Sequence, residues 1–231
     1  MLHRERTLER RVRRHARGGV HRQVDVGAPG ERFTPEAHRA RWIEALILAQ
    51  GFAGTSVDAI LERTGLTKGA FFHHFASKQE LARALVERYA TADIERLERT
   101  IERAERLHRD PLQQVRIVLG LYEEMAEALP DATQGCLLAS YLYEAQLFDD
   151  GIHEVIRANV AHWRARLGEK LRAAAKRHPP RLAADLDDLA DMATVIVEGA
   201  YVMAKATKEP TVVARQLRNL RNYIELLFGA D

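Results

Sequence analysis

Apolar residues along this chain recur at intervals of three and four rather than two, the spacing of helices with one buried face. Thr34 and Pro35 open a first helix as N-cap and first-turn residue, and Trp42, Ile43, Leu46 and Ala49 trace its face until Gly51 ends it. Thr55 starts a second, with Asp58 completing its cap and Val57, Ile60, Leu61 and Thr64 as its apolar side, before Gly65 breaks it. A short third helix follows Thr67 and carries Phe71, His74 and Phe75 on one side. Ser77 and Glu80 form a capping box, S-x-x-E, ahead of a fourth helix running to about Leu107 on Ile94, Leu97, Ile101 and Ala104.

Asp110-Pro111 begins a fifth helix that ends near Leu129-Pro130, and residues 135–148 form a shorter apolar one. After Gly151 a long amphipathic helix carries Ile152, Val155, Ile156, Val160, Trp163, Leu167 and Leu171 until Pro179-Pro180 stops it. Two helices remain, 185–207 and 211–228, separated by Pro210; the last places Val213, Leu217, Leu220, Ile224 and Leu227 on one stripe. No alternation is long enough for a strand. The predicted fold class is all-α, about nine helices, with a three-helix unit over residues 34–81 and a larger helical domain over 82–231. The stripes of the last two helices have no other obvious burial, so a homodimer through residues 185–228 is expected.

Charge changes the picture at one end. Residues 1–33 hold nine arginines against Glu5, Glu9, Asp25 and Glu31, a net +5; taken from the chain's +2, this leaves −3 for residues 34–231. The first 33 residues show no apolar period, so they read as a basic, disordered arm or as a stretch upstream of the true start. Contact with a polyanion must then come from local placement of charge. The single cysteine, Cys136, excludes an intrachain disulfide and fits a reducing cytoplasm, and no apolar run reaches membrane-spanning length.

Residues 52–81 carry the candidate chemistry. A capped helix, a tight glycine-containing turn and a second short helix make a helix-turn-helix, with Ala59 and Gly65 small enough for close packing. Thr67, Lys68, Gly69 and Ala70 are polar or small enough at the start of the second helix to enter a major groove. Lys78, in the first turn of the next helix, can join backbone amides in clamping a phosphate.

Gly51-Phe52, Thr55-Ser56-Val57, Thr64-Gly65, Thr67-Lys68-Gly69, His73-His74-Phe75 and Ser77-Lys78 resemble the DNA-binding signature of the tetracycline-repressor (TetR) family, densely over residues 38–86. The resemblance implies a ligand-responsive transcriptional regulator, a repressor rather than an activator. Such a protein binds a palindromic double-stranded DNA operator as a homodimer and is released by a small-molecule effector. It places Ser56, Thr67, Lys68, Ala70, His73, His74 and Lys78 at or near DNA, with Thr55, Gly69 and Phe72 in the same segment. Phe72 stands where the family commonly has tyrosine and has no hydroxyl for a phosphate. The resemblance also implies an effector pocket among the central helices, for which Tyr122, Met125, Cys136, Tyr141, Trp163 and Tyr201 are the candidates, although aromatics at helical spacing usually pack.

Other chemistries find no constellation. No two of the ten histidines stand three or four residues apart, and with one cysteine no metal site or cofactor is expected. Phosphate-binding glycine loops and H-E-x-x-H or G-x-S-x-G motifs are missing, so no enzyme is expected. Cys136 follows Gly135 at a helix start, where the macrodipole could lower its pKa, but a small buried apolar role is the plainer reading.

Overall fold

A computed structural model of the chain describes residues 35–129 and 135–229, the first four as backbone alone. The expectations for residues 1–33, the Thr34 cap and Pro130 lie outside them. The elements are α1 (Pro35–Gly54), α2 (Val57–Thr64), α3 (Lys68–His74), α4 (Lys78–Leu107), α5 (Pro111–Glu127), α6 (Leu137–Tyr143), a 3-10 turn (Ala145–Leu147), α7 (Asp150–Arg177), α8 (Leu186–Thr207) and α9 (Val212–Phe228). Among the described residues there is no strand.

Side-chain caps set most helix starts, each contributing about 1 kcal/mol. Asp110, Asp149 and Asp185 cap α5, α7 and α8, so α7 begins at Asp150, one residue before Gly151. The start of the second helix needs correction. Ser56, not Thr55, caps α2, accepting from Ala59 N at 3.1 Å, while Thr55 is fully buried and donates to Gly51 O at 2.7 Å. Ser77 accepts from Glu80 N as the capping box requires, but the Glu80 carboxylate reaches Ala76 N at 2.6 Å, one residue further back. The short apolar helix is also divided: α6 stops at Tyr143, and a 3-10 turn carries the chain to Phe148.

Two cores follow one another along α4, and a smaller cluster joins Ala126 of α5, Ala200 and Ala204 of α8 and Val213 and Leu217 of α9. The first joins Ile43, Ile47 and Phe52 of α1 to Ile60, Phe71, Leu81 and Leu85, then continues into Leu137, Leu138 and Tyr141 of α6 and Ile152 and Ile156 of α7. The three-helix unit therefore has no core boundary at residue 81. The second core packs the later part of α4 with α5, α7, α8 and α9 around Leu97, Ile101, Leu119, Leu171 and Ile224. Glu123 of α5, itself buried, receives Arg218 at 2.6 Å and Arg221 at 3.1 Å from α9, so its charge is paired where water is excluded.

The stripe expected to lack burial does not lack it. Val213, Leu217, Leu220, Ile224 and Leu227 are all buried within this chain, against α5 and α8. A different set is left outside: Val195, Val202 and Met203 on α8, 67%, 52% and 53% exposed, and Leu226 on α9, 70% exposed.

Tyr141 is fully buried between Phe52, edge-on at 5.6 Å, and Phe148, stacked at 4.4 Å, and its hydroxyl has no partner. A buried unpaired hydroxyl costs about 1–3 kcal/mol. Tyr141→Phe is therefore expected to melt at or above the wild-type temperature in calorimetry. A clear loss of stability would mean that this hydroxyl is bonded.

Candidate DNA-binding and effector sites

The turn between α2 and α3 is fixed by Gly65, whose φ of 68° and ψ of 17° place it in the left-handed region that closes a helix. Thr67 then caps α3, accepting from Ala70 N at 3.1 Å. A hydroxyl that accepts a cap bond keeps its proton, so the exposed Ser56 and Thr67 can each still donate to a phosphate. Lys68, Gly69, Phe72 and His73 are exposed, and Ala70 and His74 half-buried. A Cβ at Gly69 would meet nothing within 4 Å, so this glycine serves no packing inside the protein and leaves room outside it. Phe71 anchors α3 from beneath, with the rings of Phe72 and Phe75 at 5.2 and 5.7 Å.

Two of the expected DNA contacts are turned inward. Thr55 is buried, as described. Lys78, expected to meet phosphate, donates instead to the carbonyl of Phe52 and lies 4.1 Å from the centre of its ring. At the kink, where Gly51 has φ of 78° and ψ of 163°, the helical ladder is interrupted, and the Phe52 carbonyl accepts from Thr55 N at 3.2 Å as well as from Lys78. Loss of water depresses the Lys78 pKa, and the nearby Glu144 carboxylate opposes that.

Glu144 had no signal in the sequence, yet it holds the same kink. Its carboxylate accepts from Phe52 N at 2.6 Å and Ala53 N at 2.8 Å, across 92 and 91 residues. Lys205 of α8 adds a second tie, donating to Leu48 O of α1 at 3.2 Å. The end of α6 and one side chain of α8 thus both grip the end of α1.

Four of the six effector candidates converge inside the larger domain. Trp163 Nε1 donates to Asp93 Oδ2 at 2.7 Å, and the Tyr122 ring tilts against Trp163 at 5.3 Å. Asn159 and Arg96 also donate to Asp93, at 3.3 and 3.1 Å. Cys136 hydrogen-bonds to Glu198, with Tyr201 and Tyr89 beside them, and Asp93 lies within electrostatic reach of the whole group. Burial, then Glu198, pushes the Cys136 thiol far up, which overrides any lowering by the α6 dipole. Burial pushes the Glu198 carboxyl up as well, and Tyr201 up to about 12. Tyr89, Asp93 and Glu198 were missed in the sequence, where they look like ordinary members of amphipathic helices. Two candidates do not join them: Met125 stands at the surface of α5, and Tyr141 belongs to the first core. Among the described residues no group of histidine, cysteine and carboxylates is placed to hold a metal, and no helix is long and apolar enough to cross a membrane.

Comparison with known proteins agrees with this layout. Residues 43–85 match the family described as bacterial regulatory proteins, tetR family, and residues 111–220 match the tetracyclin repressor-like C-terminal domain. The chain is 26% identical over 161 residues to the transcriptional regulator AcuR of Cereibacter sphaeroides, covering 70% of this chain and 72% of that protein. It is 23% identical over 182 residues to the HTH-type transcriptional repressor NemR of Escherichia coli, covering 78% and 89%. The crystal structure of a TetR regulatory protein from Rhodobacter sphaeroides superposes with a TM-score of 0.66 at 25% identity, covering 81% of this chain and 98% of that one.

Proposed function

Because the chain belongs to the TetR family of bacterial transcriptional regulators, we propose that it is a cytoplasmic repressor that binds a palindromic operator as a homodimer and lets go when a small molecule enters its larger domain. The observation that carries this reading is the outer surface of α3. Thr67, Lys68, Gly69 and His73 stand exposed on a short helix that Phe71 fixes from below, which suits a recognition helix entering a major groove. The relative named a repressor supports the sign of regulation. Operator half-sites are expected about one turn, ~34–36 Å, apart or a multiple of it.

Coupling to an effector has a physical route. Cys136 and Glu144 flank the seven residues of α6, the first touching the interior cluster and the second holding the amides of Phe52 and Ala53. A ligand that favours a different position of α6 changes the seating of α1, and through it the spacing of the two recognition helices. That requires different affinities for the two states.

Selection from random DNA, followed by salt titration of the selected operator, tests the reading. A steep fall of affinity with salt is expected from phosphate contacts. Lys68→Ala should cost about 1–3 kcal/mol on the operator and relax preference at one symmetric position, if Lys68 reads a guanine edge. Lys78→Ala is the contrast. With its ammonium on Phe52, its loss should lower thermal stability and leave the salt slope intact. A slope flattened by about one unit would instead show the ammonium transferring to phosphate on the operator. A protein that selects no DNA at any salt overturns the proposal.

A further inference from the structure

We infer that Phe72 is a specificity-determining residue, whose ring lies against the 5-methyl group of a thymine in each operator half-site. This rests on the DNA-binding reading above and assigns one feature of the sequence that is read.

Phe71 forms the buried side of α3, and Lys68, Gly69, Phe72 and His73 recur as i, i+1, i+4 and i+5 on the side turned to solvent. A single exposed apolar residue is ordinary on a protein surface. Phe72 differs by its place. At 46% exposure it stands on the outer surface of the helix, one turn from Lys68 and next to His73. Its ring meets that of Phe71 edge-on, with centres 5.2 Å apart and planes at 83°, so a buried residue fixes the direction in which it points.

The chemistry of the ring limits what it can touch on DNA. It has no hydrogen-bonding group, so pressing it against a phosphate or a polar base edge removes water and returns nothing. On the floor of the major groove the thymine methyl is the one apolar group, and phenylalanine is among its natural complements. Sugar carbons on the groove wall are a second apolar surface, but they carry no base identity. Gly69 favours the floor. It lies three residues before Phe72 on the same side, and a Cβ there would meet nothing within 4 Å, so no side chain at this point holds α3 off the bases. The polar contacts fall to Thr67 and Lys68, both exposed beside it.

The test uses the duplex that the full chain selects from random DNA, with deoxyuridine replacing thymine at one symmetric pair of positions at a time. That exchange removes the methyl groups and keeps the base pairs. Fluorescence anisotropy is expected to find one pair at which wild-type affinity falls by about fourfold for each of the two methyl groups. Phe72→Ala should bind the thymine and uracil duplexes equally, with an unchanged salt slope, because the ring meets no phosphate. Phe72→Tyr, which keeps the ring, should still prefer thymine there, and Phe72→Gln should not. Circular dichroism confirms the fold of all three, since changes at an exposed position usually cost little. A response that survives in Phe72→Ala would give the methyl to Thr67 or Ala70 and overturn the inference. Equal weakening of every duplex by Phe72→Ala, as a sugar contact produces, would overturn it too. A chain that selects no DNA overturns both readings, whereas one whose operator ignores the loss of every methyl overturns this one alone.

Discussion

Gly51→Ala is expected to lower the melting temperature by about 5 °C or more and to weaken operator binding with it. Two costs act together at this position. A φ of 78° with a ψ of 163° lies in a region that is essentially glycine-only, and holding another residue there costs about 1–3 kcal/mol. A Cβ on Gly51 would also stand 2.8 Å from Glu144 Oε1, inside contact distance of the carboxylate that the Phe52 and Ala53 amides need. Either Glu144 is pushed off, leaving the buried Phe52 without its bond, or the kink straightens and draws Lys78 and Thr55 with it. Both outcomes disturb the seat on which α2 and α3 are carried. Differential scanning calorimetry and operator titration check this, with Glu144→Gln as a milder companion that keeps one acceptor oxygen. If Gly51→Ala melts with the wild type, the kink is not what holds the recognition unit in place.

The helices themselves were legible because their signals are local. Apolar spacing, S-x-x-E, Asp-Pro and the glycine after α2 act within a turn or two of the residues they govern, and α4 ends at Leu107 as its periodicity indicates. Thr55 and Ser56 show where local signals fail. Both are good caps by type, and only the return of the chain at Gly51, which offers its carbonyl to Thr55, decides between them. Glu144 and Lys78 are further cases, since their partner is the backbone of Phe52, 92 and 26 residues away. Backbone has no sequence signature. Tyr122 and Tyr141 are likewise alike on paper, each an aromatic at helical spacing. Long-range packing sends one towards Trp163 and Asp93 and the other between Phe52 and Phe148.

Val195→Glu combined with Leu226→Glu is expected to make the protein monomeric at micromolar concentration and to weaken operator binding by about 100-fold or more, since two half-sites are no longer held by one molecule. The choice of residues follows from the face that α8 and α9 leave uncovered. Val195, Val202 and Met203, with Gly199 among them, lie at helical spacing along α8, and Tyr223 and Leu226 lie on α9. Burying a valine or leucine contributes about 1.5–3 kcal/mol, and a two-fold interface uses each residue twice. A glutamate in their place brings carboxylates into the interface without partners. The chain's own fold should survive, because both positions are at least 67% exposed in the single chain and surface changes usually cost little. Leu220→Glu provides the contrast: Leu220 sits in the core between α5, α8 and α9, so that variant should unfold rather than dissociate. Sedimentation equilibrium with circular dichroism distinguishes the two results. A double variant that stays folded and dimeric would place the partner on another face, and the separation of the recognition helices would have to be explained from there.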